Sequence, residues 1–260
     1  MTIALVRPPT EAIARCELTY LAREPIDVSR ALAQHAAYVQ ALAQRGARVI
    51  SLPPAPDLPD APFVEDTAIV LDEVAVLTIP GAASRRPEVP AVAAALEPYR
   101  PLLRLTPPAT LDGGDVVCAG RMLYVGAGGR SNAEGIGQLA ALLDPYGYTV
   151  RSVPVTGCLH LKSACTALDN SSGSLLLVNP DWVDTSPFTD DGLDLLPIPP
   201  EEPFAADTLT LAGIIFLPAD CPRTRERLEA RGLTVQPLDV SEFQKAEASV
   251  TCLSLIFDAS

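Results

Sequence analysis

The sequence has no apolar run approaching the roughly 18 residues of a membrane-spanning helix, and its first twenty residues, MTIALVRPPTEAIARCELTY, hold no stretch long enough for a signal peptide. A soluble, cytoplasmic protein is therefore expected. Basic residues are scarce: 19 Lys and Arg stand against 32 Asp and Glu, a formal net charge of -13. Such a surface repels phosphate backbones and anionic membranes, so nucleic acid and membrane are poor partners and a cationic small molecule is a better one. No CxxC pair occurs among the six cysteines, Cys16, Cys118, Cys158, Cys165, Cys221 and Cys252. Their spread lacks the density of a disulfide scaffold, and most should be small buried apolar side chains. Histidine is rarer still, with only His35 and His160. Without HxxxH, CxxC or a third nitrogen ligand, no metal centre is expected. The lack of a P-loop or dinucleotide fingerprint argues equally against a nucleotide or redox cofactor.

What the chain does have is length and apolar content: 260 residues, 48% hydrophobic, enough to bury a sizeable core. Three segments share one pattern: LAQRGARVISLP (42–53), LLDPYGYTVRSVP (142–154) and LEARGLTVQPL (228–238). Each ends a helix-like stretch on Gly46, Gly147 or Gly232, where glycine suits a left-handed cap, and then enters a short β-branched strand. ALEPYRPLLRLTPP (95–108) is a looser fourth copy. Hairpin-like stretches precede the helices at 67–81, 115–126, 174–183 and 208–218, and helical spacing is clearest over 30–44 and 132–143. The unit is hairpin, helix, strand, at a period of about 50 residues, which points to units arranged radially or stacked. Five fit in the chain. The first is one strand short, and VTCLSLIF (250–257) could supply it and close a ring, with Cys252 on the closing strand near the centre. The proline-rich stretches 53–62 and 196–203 read as loops within the ring, and no domain boundary is visible, so residues 1–260 are expected to form one α/β domain.

His35 shares helical spacing with Leu32 and Val39 and reads as a packed or surface histidine. His160, in TGCLHLKSA, begins the fourth unit and so points to the same central end as Cys252. Acids sit at the corresponding unit starts, Glu65 and Asp66 in FVEDTA and Asp112 and Asp115 in TLDGGDV. The repeat thus brings two acid pairs, a histidine and a cysteine to one centre.

FVED, LDGGDV, GxLHLKS and TCxS, in that order and covering nearly the whole chain, resemble the dimethylarginine dimethylaminohydrolases, guanidino-group modifying enzymes with the pseudo-symmetric five-bladed α/β propeller called the pentein fold. The resemblance implies Cys252 as nucleophile, with a thiolate favoured by a neighbouring cationic guanidinium, and His160 as general acid and then base. It implies Asp112 and Asp66 as hydrogen-bond anchors of the guanidinium, and Glu65 at the border of the same pocket. It sets Arg85 and Arg130 against a ligand α-carboxylate, Asp60 near the α-amino end, and Leu18 in a lid that excludes water. Glu247-Ala248 stands where relatives commonly read Asp-Gly, so the α-amino contact is expected to be altered. The expected partner is a guanidino amino acid, with a homodimer left open and no cofactor. Alternatives are an arginine deiminase-like hydrolase, an amidinotransferase, and a non-catalytic propeller scaffold.

Overall fold

A computed structural model describes residues 1–168 and 175–259; Ser174, the first residue of one expected hairpin stretch, lies outside them. Five three-stranded sheets are built to one plan. The first blade has β1 (Thr2–Val6), α1 (Val28–Gln44) and β2 (Arg48–Ser51). The second has β3 (Ala68–Val70), β4 (Ala75–Leu77), α2 (Val89–Leu96) and β5 (Leu102–Arg104), and the third β6 (Val116–Ala119), β7 (Met122–Ala127), α3 (Ala133–Leu143) and β8 (Thr149–Pro154). The fourth opens with a single helical turn, α4 (Leu161–Ala164), and continues through β9 (Cys165–Ala167), β10 (Leu175–Val178), α5 (Ser186–Asp190) and β11 (Asp194–Pro197). The fifth holds β12 (Leu209–Leu211), β13 (Ile214–Pro218), α6 (Pro222–Ala230) and β14 (Thr234–Leu238); α7 (Ser241–Gln244) then leads to β15 (Ser254–Asp258). In every blade the central strand pairs antiparallel with one neighbour and, after the helical crossover, parallel with the other. β15 pairs antiparallel with β1, Thr2 opposite Asp258 through Val6 opposite Ser254, and so completes the first blade from the far end of the chain. The expected ring closure is met.

The core follows from strand alternation. Successive side chains of a central strand point to opposite faces, so each strand feeds two apolar clusters. Ile3 and Leu5 of β1 pack against the second blade while Ala4 and Val6 pack against the fifth. Val76 of β4 faces the third blade and Ala75 and Leu77 face the first; the same division separates Leu176 from Leu177 in β10. Five clusters fill five blade interfaces.

The three expected caps are left-handed, with φ of +88° at Gly46, +75° at Gly147 and +78° at Gly232. A further copy that the repeat pattern did not reveal ends α5, with Gly192 at +80° and β11 beginning two residues on. β11 takes the first residues of the proline-rich stretch 196–203, in place of the loop expected throughout it. Cys252 also departs from expectation: the strand starts only at Ser254, and the cysteine occupies the turn just before it.

At the axis the blades are locked by carboxylates. Asp66 Oδ1 accepts the Gly114 N–H at 3.0 Å, Asp115 Oδ1 the Leu161 N–H at 3.0 Å, and Asp207 Oδ1 the Thr251 N–H at 3.1 Å. In each case an acid at the start of one hairpin satisfies a buried backbone donor of the next blade. No helix among the described residues is long and apolar enough to cross a membrane.

Candidate active site

The turn 250–253 is held from three sides, which accounts for the TCxS string. Thr251 gives its N–H to Asp207 and its hydroxyl to Glu65 Oε2 at 2.9 Å. Ser254 Oγ meets Tyr38 Oη at 2.7 Å, and the same tyrosine hydroxyl donates to the Val250 carbonyl at 2.9 Å. Cys252 itself is buried, its carbonyl accepting the Glu65 N–H at 3.4 Å. Burial pushes its thiol well above the usual range; Asp207, Glu65 and Asp66 push the same way, against a backbone hydrogen bond from Ser249. The site thus stores a neutral thiol that an incoming cation would help to ionise.

His160 sits at the N-terminal side of α4, whose first amide is the one held by Asp115. Its Nε2 lies 2.9 Å from Asp112 Oδ2 and its Nδ1 3.7 Å from Asp66 Oδ1. Burial alone would lower the imidazole pKa, but the Asp66 charge, the Asp112 hydrogen bond and Asp115 outweigh it and raise it to about 9. Asp66 is pushed down to about 2: burial opposes this, and His160, Arg85 and the Gly114 amide overcome it. The glycine pair of LDGGDV is a steric requirement, since a Cβ on Gly114 would lie 2.7 Å from Asp66 Oδ1 and 2.8 Å from His160 Nδ1, and one on Gly113 would run into the Glu65 carbonyl.

Cys252, His160, Asp66, Asp60, Arg130 and Glu247 all line one cleft at the axis. Its cavity is only about 10 Å³. A larger groove of about 580 Å³ between α2 and β5 gathers no comparable set of acids, histidine and thiol, so chemistry rather than volume identifies the site.

Several of the expected site residues have partners within the protein. Asp112 is fully buried and does not line the cleft; Oδ2 takes the imidazole and Oδ1 the Gly81 N–H at 2.8 Å. Both of its oxygens are thus engaged within the protein. Arg85 is a cleft wall, but its donors are committed to Asp66, to both Glu88 oxygens and to the carbonyls of Asp60 and Phe63. It is the counter-ion of Asp66. Arg130 Nη1, by contrast, is buried without a hydrogen-bond partner among the described residues, 3.9 Å from Asp112. Glu65 stands behind the cleft, bound to Lys162 Nζ at 2.6 Å and walling a separate axial cavity. Asp60 borders the cleft and accepts the Glu17 N–H at 3.2 Å from each oxygen. Leu18 packs against the first core cluster, and Glu247 binds the backbone of the segment beside it. Cys158 donates to the His160 carbonyl at 3.3 Å and is pushed to about 12 by burial first, then Asp115 and Asp207. It is a structural thiol.

Asp207 is the residue that sequence reasoning missed. Burial and the Glu65 charge push it up to about 7. The signal was present: DTLTL (207–211) repeats the register of DTAIV (66–70) at the start of the second hairpin.

Among the described residues one group could hold a metal: ligand atoms of Asp66, Asp112 and His160 lie within 4.8 Å of one another. The set does not fit an ion well, because Arg85 is bonded to Asp66 and Arg130 stands beside Asp112, so a dication would displace or confront two guanidinium groups.

No family model matches the chain. It is similar to the N(G),N(G)-dimethylarginine dimethylaminohydrolase of Streptomyces coelicolor, 40% identical over 257 residues that cover 97% of this chain and 95% of the relative. Among solved structures it is similar to a variant of the Pseudomonas aeruginosa enzyme complexed with citrulline, at a TM-score of 0.92 and 32% identity, covering 98% of each chain. A dimethylarginine dimethylaminohydrolase carrying an adduct with S-methyl-L-thiocitrulline gives the same score and identity, covering 99% of this chain and 100% of that one. With the motif residues converging as they do at the axis of five blades, the chain belongs to the dimethylarginine dimethylaminohydrolase family of the pentein superfamily.

Proposed function

We propose that the chain hydrolyses N-omega-methylated arginines to citrulline and methylamine or dimethylamine. The observation that carries the reading is the meeting, in one cleft, of a buried thiol, an imidazole held between two carboxylates, and an ionised Asp66. The ligand's guanidinium sits against Asp66, whose oxygens keep lone pairs to spare, and its charge offsets the carboxylates that hold the thiol protonated. As the guanidinium docks the thiol proton passes to solvent, and Sγ of Cys252, now a thiolate, bonds to the guanidinium carbon, giving a neutral tetrahedral adduct. The C–N bond to the alkylamine breaks as His160 protonates the departing nitrogen, leaving an S-alkylthiouronium. Neutral His160 then takes a proton from water, the hydroxide adds to the same carbon, and the C–S bond breaks to release citrulline and the thiol. Arg130 pairs with the α-carboxylate and Asp60 with the α-amine. The six unpaired cysteines support a cytoplasmic setting, and the chemistry is complete within one chain, whether or not two copies pair.

The test is citrulline release from asymmetric dimethylarginine, monomethylarginine and arginine side by side. Turnover of the methylated substrates is expected, lost in Cys252→Ala. A preference for arginine would move the reading to a deiminase, and amidino transfer to an added amine would move it to a transferase.

A further inference from the structure

The segment from Glu17 to Arg23 roofs the cleft without regular secondary structure. It buries little: Tyr20 is 51% and Leu21 37% exposed. Polar contacts therefore hold it. Glu247 Oε1 accepts the N–H groups of Thr19 at 3.0 Å and of Tyr20 and Leu21 at 2.5 Å each, and Oε2 also meets the Thr19 N–H at 3.0 Å. Three successive amides converging on one carboxylate form an anion nest filled by the protein itself. The other contacts are sparser: Asp60 to the Glu17 N–H, Arg130 Nη2 to Thr19 Oγ1 at 3.4 Å, Ser84 to Glu17 at 2.6 Å, and Arg23 to the Cys16 carbonyl at 2.6 Å. Glu247 has a left-handed backbone, φ +58°, which a side chain longer than Asn or Asp rarely adopts. That conformation aims its carboxylate at the segment.

We infer that Glu247 is a positioning residue, the latch that holds segment 17–23 over the cleft, and that this is its part in the reaction instead of contact with the ligand's amino group. A cavity of about 10 Å³ holds about one water, so no amino acid enters unless the segment lifts. The latch sets how often it does. The inference rests on the proposed reaction for its kinetic consequence only.

The experiment compares wild type with Glu247→Gly and Glu247→Gln by limited trypsin digestion, following cleavage after Arg15 and Arg23, both exposed. Glycine removes the carboxylate and relaxes the left-handed backbone, so Tm should hold or rise while cleavage in the segment quickens about tenfold, the loss of charge-assisted hydrogen bonds at a partly exposed site. Glutamine, a neutral acceptor of the same reach, should fall between. With asymmetric dimethylarginine, KM should rise several-fold while kcat moves by less than about threefold. Cleavage unchanged in Glu247→Gly overturns the latch, whatever KM does, since an amine contact would alter KM alone. Faster cleavage in a protein that turns over no guanidine would keep the latch and defeat the proposed reaction.

Discussion

Replacing Asp112 by Asn tests how the imidazole is tuned. The carboxylate has two tasks, accepting the Gly81 N–H on Oδ1 at 2.8 Å and His160 Nε2 on Oδ2 at 2.9 Å, with no exposure to solvent. In the Asp112→Asn variant the amide oxygen must stay with the Gly81 N–H to keep that donor satisfied, so the NH₂ group faces Nε2. That nitrogen must then accept, which only the neutral imidazole can do. The substitution removes both a negative charge and a hydrogen bond that favour the cation, and burial, which opposes it, remains. An adjacent charge is worth roughly one to three pKa units, so His160 should fall from about 9 by about two units. The chain has two histidines, and burial holds His35 at about 4, so an NMR titration should resolve two imidazoles far apart in pH. In Asp112→Asn the upper one should move down by about two units while the lower stays put, and amine release should drop by roughly 10² to 10⁴ as general-acid help is lost. If His160 still titrated near 9, the dyad would not be what tunes it.

Gly114→Ala should fold yet lose roughly 10²-fold or more in turnover, because the new methyl meets both Asp66 and His160 below 3 Å; circular dichroism beside the amine assay separates the two effects. Tyr38→Phe strips the donor from the buried Val250 carbonyl and the acceptor from the Ser254 hydroxyl and should cost about 1–3 kcal/mol in urea unfolding. Stability should also depend on pH with a definite sign. Asp115, Glu88 and Asp207 are raised by burial to about 6, 7 and 7, and His160 to about 9 by its carboxylates. Each favours its protonated form in the fold, so its contribution is complete below its unfolded pKa and is lost as pH rises through the folded one, for the acids between about 4 and 7 and for His160 between about 6.5 and 9. Asp66, depressed to about 2, contributes above its unfolded value and loses that as pH falls toward 2. Tm should peak near mild acidity and decline from pH 6 to 9; a maximum at pH 9 would contradict the assignment.

The blades were legible because local chemistry sets them. Glycine caps, β-branched strands and a 50-residue period are properties of short windows, and ring closure followed from counting strands. The fourth blade was harder, since its helix spans only Ser186–Asp190 and a prolyl residue ends its strand. Which residues share the axis was also readable, because the repeat puts them at equivalent ends. Their partners were not. Asp112 meets His160, 48 residues away; Arg85 meets Asp66 and Glu88; Glu247 meets amides more than 220 residues distant. Donor and acceptor choice at a packed centre is decided by burial, which drives every charged group to the nearest opposite partner, and no local pattern encodes that.

The most direct test of the account is to quench the wild-type enzyme during turnover of asymmetric dimethylarginine and map the cysteines by mass. Cleavage after Lys245 releases residues 246–260, in which Cys252 is the sole cysteine. That peptide should gain the mass of the substrate less dimethylamine, and the gain should vanish on prolonged incubation as citrulline appears. Citrulline formation with the adduct on Cys158 or Cys16, or with no adduct on any cysteine under a quench fast enough to catch a single turnover, would contradict nucleophilic catalysis by Cys252.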